Sequence, residues 1–182
     1  PANPLYTEPT GWPASMVGIP YDALDNWRSV YPTETFVAQM QKVADGFAAG
    51  CELLQKAVAV SKGKYRKQLT DDLGRARTVG IHCASSANQA RFTEARNRLL
   101  TSTDRDERRR YIDTMRRAAE AEAELTADLL PIVRNDPTIG YESSNHYFYV
   151  PQDLLEKQLN IRYVLDRLDR QAEPRNSETS QQ

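Results

Sequence analysis

The sequence predicts an all-α domain: a bundle of three long helices plus a shorter fourth, preceded by an extended N-terminal segment. From residue 33 onward, apolar residues return every three or four positions in four separate stretches, the period of a helix with one buried face. Prolines gather outside those stretches, and six of the ten fall in residues 1–32. No stretch alternates apolar and polar residues with the period of two that a half-buried strand requires. At 182 residues the chain is long enough for one domain with a sizeable core, and a second full domain is not expected. The expected division is a wrapping segment over 1–32, a bundle over 33–172 and a flexible tail over 173–182.

Residues 1–32 carry Tyr6, Trp12, Tyr21, Trp27 and Tyr31, which are too apolar for a disordered arm. Thr33 is placed to cap the first long helix, with Glu34 near the positive end of its dipole. Phe36, Met40, Val43, Phe47, Cys51 and Leu54 then form its stripe, to about Val60. Gly46 and Gly50 lie one turn apart on this helix and each weakens it by about 1 kcal/mol relative to alanine. Close approach of another helix is the expected reason.

A turn at Ser61–Gly63 leads into a second helix over 64–100, whose face of Leu69, Leu73, Ala76, Gly80, Cys83, Ala87 and Ala90 is mostly small. Small side chains admit close neighbours, so this helix is expected at the centre. Its C-terminal half turns polar through His82, Ser85, Ser86, Asn88, Gln89 and Arg91. Thr103 or Asp104 caps a third helix, with Asp106 or Glu107 three residues later as in a capping box. Tyr111, Met115, Ala118, Leu125, Leu129 and Ile132 make its stripe, and Glu122 falls on that stripe, an unusual place for an acid. Pro131 falls in the last turn and is expected to kink the helix. Pro151 opens a fourth helix, where its fixed φ suits the first turn, and Leu154, Leu155, Leu159, Ile161, Leu165 and Leu168 carry it to about Gln171.

Composition narrows the function. Lys and Arg total 24 against 25 Asp and Glu, so the basic excess that nucleic acid or an anionic membrane surface demands is missing. No apolar run approaches the roughly 18 residues of a membrane span. The N-terminus shows no signal-peptide pattern, and the chain is expected to be a piece of a longer one. The compartment is left open, with a secreted or periplasmic place expected. Cys51 and Cys83 lie about 11 and 21 residues from the Ser61 turn, an offset of roughly 15 Å along a helical hairpin. A disulfide needs Cα atoms within about 7 Å, so two separate thiols are expected.

With two histidines, no Glu-x-x-His repeat and no Cys-x-x-Cys, neither a metal site nor a cofactor is expected. Nor is there a nucleophile elbow or a phosphate-binding glycine loop. Counting from the turn near Thr103 places His82 and Glu122 within roughly 3 Å of the same height, as a candidate pair inside the bundle. Two stretches remain that mix flat rings with hydrogen-bonding groups, the chemistry that suits a sugar. One holds Tyr21, Trp27 and Arg28 with Asp22 and Asp25. The other, Ile139 to Val150, holds Tyr141, Tyr147 and Tyr149 with Glu142, Asn145 and His146, and is longer than a plain helix connector. Their plain structural role would be to seal bundle ends and cap helices.

Met16-Val-Gly-Ile-Pro-Tyr-Asp, Asp25-Asn-Trp-Arg-Ser-Val-Tyr-Pro, Ser86-Ala-Asn-Gln-Ala-Arg-Phe and Ile139-Gly-Tyr-Glu-Ser-Ser-Asn-His-Tyr-Phe-Tyr resemble the C-terminal helical region of large bacterial glycoside-hydrolase-like proteins. That resemblance implies a catalytic barrel elsewhere in a parent chain, and here a helical accessory domain whose aromatic loops contact glycan. Expected partners are then a glycan or the rest of the parent. Two other readings stand beside it. One is a helical protein–protein interaction module without catalysis. The other is a self-contained glycosidase using Glu142 with Asp22 or Asp25, which needs carboxyls about 5 Å apart for retention or about 6.5–9.5 Å for inversion.

Overall fold

The computed structural model describes residues 2–13, 22–140 and 149–172. Five helices and no strand occur among them: α1 (Leu24–Trp27), α2 (Thr33–Val60), α3 (Gly63–Thr101), α4 (Arg105–Asn135) and α5 (Pro151–Ala172). This is the all-α bundle that the periodicity predicts, with the single turn of α1 added inside the proline-rich segment. The tail expected over 173–182 lies outside the described residues.

The helix ends follow local chemistry with one exception. Asp104 caps α4 by accepting from the Glu107 backbone N–H at 2.8 Å, and Ser102 Oγ donates to the Glu107 carboxylate at 2.8 Å. Thr33 instead is the first residue of α2, following Pro32, and makes no cap bond. Its hydroxyl points across to Glu94 on α3, 3.4 Å away. Pro131 lies inside α4, which continues to Asn135.

α3 is the axis, as its small residues predict. It packs against α2 on one flank and α4 on the other, while α4 packs on α5. A Cβ added to Gly80 would meet Phe47 Cβ at 3.1 Å, so glycine sets the approach of α2 to α3. The main apolar core lies on the other side, where Phe92 and Leu99 meet Met115 and Ala119 of α4 and Ile161, Val164 and Leu168 of α5. A smaller core joins Leu129 and Val133 to Ile139, Tyr149 and Leu154.

α3 and α5 are bridged by the N-terminal segment. Leu5 is buried in the main core, and its backbone N–H and C=O bond the Asn160 side chain at 2.7 and 3.0 Å. α2 is the outlier. Only Ala44 and Cys51 of its residues are buried, while Val43, Leu53 and Val60 are 41%, 67% and 81% exposed. Gly46 and Gly50 have nothing within 4 Å of where a Cβ would stand. Among the described residues no helix closes on them, contrary to the expectation from their spacing. The two cysteines are separate free thiols.

Candidate functional site

The polar run of α3 is buried rather than solvated. Ser85, Asn88, Gln89, Thr93 and Arg96 all lie inside, and all but Thr93 join one of two clusters.

The first surrounds Glu122, which is fully buried on the apolar stripe of α4. Its carboxylate accepts from Ser85 Oγ at 2.9 Å, Gln89 Nε2 at 3.2 Å and Asn88 Nδ2 at 3.3 Å, and pairs with Lys157 Nζ at 3.2 Å. Lys157 is itself fully buried and donates to the Asn3 carbonyl, which Gln89 also reaches at 3.1 Å. Burial pushes the Lys157 ammonium below the ordinary lysine range, and Glu122 opposes that shift. Three of these donors converge on Oε2 and one reaches Oε1, and the side chain is sealed from water. This arrangement fixes three elements against one another; a reacting molecule has no way in. The sequence pairing of Glu122 with His82 is therefore corrected: the residues that bond Glu122 lie three to seven positions beyond His82 on α3.

The second cluster takes Asp22. Its side chain is 5% exposed and pairs with Arg96, 1% exposed, at 3.2 Å, while Thr10 donates through its N–H at 2.7 Å and its hydroxyl at 2.9 Å. Arg96 also donates to the carbonyls of Tyr6 and Glu8 at 3.2 and 3.3 Å. Burial lowers the Arg96 guanidinium pKa, and contact with Asp22 opposes that shift. Asp22 thus stands in a closed ion pair that pins the N-terminal segment to α3.

Beyond Asp22 the first loop turns outward. Asp25 is exposed and pairs with Arg28 at 2.5 Å, and the same guanidinium donates to the Tyr31 carbonyl. Half-buried Trp27 sets its edge on Phe36, with ring centroids 5.0 Å apart at 83°. Trp12 and Tyr31 nearby in sequence are 73% and 57% exposed.

Of the second loop, Tyr21's counterpart residues Tyr141, Glu142, Asn145, His146 and Tyr147 lie outside the described residues, as does Tyr21 itself. Tyr149 is buried, and its phenol is hydrogen-bonded to His82 Nδ1 with the rings edge-on, 6.0 Å between centroids. Desolvation holds the His82 imidazole below its ordinary value. Gly140 has φ +78°, and a Cβ there would stand 2.8 Å from Tyr149 Cδ2, so glycine is required where the ends of the loop meet. The described anchors of the two loops are Asp22 at Arg96 and Tyr149 at His82, which are roughly 21 Å apart along α3.

One open feature has no counterpart in the sequence reading. α2 and α4 flank α3 without touching each other, and between them runs a cleft of about 870 Å³. Its floor is apolar, with Phe47, Leu73, Gly80, Ile81, Leu125 and Ile132 among its residues. Along the rims stand Asp45 and Glu52 from α2 and Asp128 and Asp136 from α4, with Asp71 of α3 at one end. Arg77 is the one cation among the described lining residues and is tied to Gln55 at 3.1 Å. The signal in the sequence was the apolar residues of α2 in excess of what α3 alone covers. Among the described residues, no three His, Cys, Asp or Glu side chains gather as metal ligands, and no helix is long and apolar enough to cross a membrane.

Comparison with family models, with curated proteins and with solved structures returns no match for this chain.

Proposed function

We propose that the chain is a helical interaction module without catalysis of its own, and that the cleft between α2 and α4 is its docking surface. The observation that supports this most is that α2, a helix rich in apolar residues, is covered on one flank only and leaves an open apolar trough beside it. The two acids of the first loop are engaged elsewhere, Asp22 with Arg96 and Asp25 with Arg28. The resemblance in sequence supplies the setting, an accessory domain of a larger carbohydrate-processing protein of the glycoside-hydrolase-like class. Chromatography of the chain with the remainder of its parent protein tests the reading. A stable complex is expected from the native chain. It should be lost in Ala48→Trp, which puts an indole into the cleft from an exposed position on its lining. Failure to form any complex would reject the reading.

A second reading is favoured by the exposed ring of Tyr31, four residues after half-buried Trp27, and by the exposed ring of Trp12 in the same N-terminal segment. Flat, accessible rings next to Asp25 and Asn26 suit the apolar and hydroxylated faces of a sugar. In that case the aromatic loops contact glycan, and Trp27→Ala with Tyr147→Ala weakens glycan binding more than stability. Unchanged glycan binding by the folded double variant would remove it.

A further inference from the structure

The geometry points to one kind of occupant for the cleft: an amphipathic helix of a partner protein, about 14 residues long, with basic residues along both flanks. This inference rests on the docking reading above and names the chemistry of the partner.

The dimensions select a helix. The cleft is lined by α2 from residue 41 to 55 and by α3 from residue 70 to 84. Either span is roughly 21 Å at 1.5 Å per residue, or about four turns. A helix of about 14 residues runs that length, with the walls of α2 and α4 on its two sides. The floor also offers apolar side chains rather than free backbone donors and acceptors, so an occupant must satisfy its own backbone. A helix does so, and an extended strand does not. Set against α2, α3 and α4, it would take the fourth place of a four-helix arrangement.

The rims select the charge. Among the described residues, five carboxylates line the cleft against one cation, Arg77. Two of the five are already matched, Asp71 by Lys67 at 2.8 Å and Asp136 by Arg75 at 3.5 Å. Asp45, Glu52 and Asp128 have no basic group within ion-pair distance among the described residues. Asp45 and Glu52 are two turns apart on one rim, roughly 10 Å, and Asp128 stands on the other. A partner helix with Lys or Arg seven residues apart on one flank, and a further one opposite, meets all three.

The test uses the 182-residue chain and two labelled 18-residue peptides with the same leucine face, one flanked by lysines and one by glutamates. Binding is read by fluorescence anisotropy, and helicity and Tm are recorded for every variant. The lysine peptide should bind at least about tenfold more tightly than the glutamate peptide. The triple reversal Asp45→Lys, Glu52→Lys, Asp128→Lys should remove that preference, each exposed pair being worth up to about fivefold. Ala48→Trp should abolish binding of both peptides. Equal binding of the two peptides, blocked by Ala48→Trp, would overturn the basic partner while leaving docking in the cleft intact. Binding that Ala48→Trp does not disturb, or no binding at all, would overturn both. Sedimentation of the chain alone completes the test: a dimer dissolved by Ala48→Trp would make a second copy the occupant and overturn the inference.

Discussion

Replacing Lys157 by Met tests whether the bundle is held by a sealed polar cluster. Lys157 and Glu122 are each fully buried and 3.2 Å apart, so deleting the ammonium leaves a buried carboxylate with neutral donors only. Removing one member of such a pair costs about 3–5 kcal/mol. Against a typical stability of about 5–15 kcal/mol this is a large fraction. With a urea m-value of about 2 kcal/mol/M, the unfolding midpoint should fall by roughly 1.5–2.5 M. Glu122→Gln should cost a similar amount by stranding Lys157. The double variant should cost less than the sum, by about 2 kcal/mol or more, because the second change removes the charge that the first left unpaired. The dependence on pH has a definite sign. Burial places the folded pKa of Lys157 below its unfolded value, so between the two the unfolded chain holds more protons and stability rises with pH. The advantage of the native protein over Lys157→Met should therefore grow as pH rises through the window between the lowered folded value and the ordinary lysine value. Urea titrations of the four proteins at two pH values measure both effects. A coupling below about 0.5 kcal/mol, or an advantage that shrinks with rising pH, would refute the reasoning.

Three further perturbations probe separate parts of the fold. Arg96→Met should destabilise by about 3–5 kcal/mol by leaving Asp22 buried and unpaired, and limited proteolysis should then cut first within residues 2–13. Gly140→Ala should cost more than the 1–2 kcal/mol of a left-handed residue, because its Cβ would also collide with Tyr149; a thermal melt reads the loss. Gly46→Ala and Gly50→Ala should each raise stability by about 0.5–1 kcal/mol, since both positions are helical and open. A fall in Tm for the last pair would mean that something packs on that face of α2.

The helices were legible because their periodicity is local, and their caps because Asp104 and Pro151 act within one turn. Polar burial was not. Ser85, Asn88 and Gln89 read only as polar until Glu122 is brought against them from another helix, and Arg96 until Asp22 is. Glu122 stood out on an apolar stripe, and its true partner was also visible in principle. Leu154, Lys157, Ile161, Val164 and Leu168 are spaced by three and four, and all five are buried. The expected stripe took in Leu154, Ile161 and Leu168, which are buried, but it also took in Leu155 and Leu159, which are 48% and 65% exposed, and passed over Lys157 and Val164. Counting residues from a turn gives height along a hairpin but not the angle around each axis, nor a shift of one turn. That is why His82 was matched to Glu122 when its partner is Tyr149. The cleft was hidden for a related reason. A stripe shows that a face is apolar, but not how much of that face its neighbours leave uncovered.

The seat of Leu5 has a consequence for synthesis on the ribosome. Its backbone is completed by Asn160, 155 residues later in the chain. At about 5–20 residues per second, those partners emerge roughly 8–30 s after Leu5 does. Through that interval the early segment has no place to settle, and its apolar side chain is open to chaperones and proteases. Closing so long a loop makes its docking a late step, after the hairpins of neighbouring helices have formed.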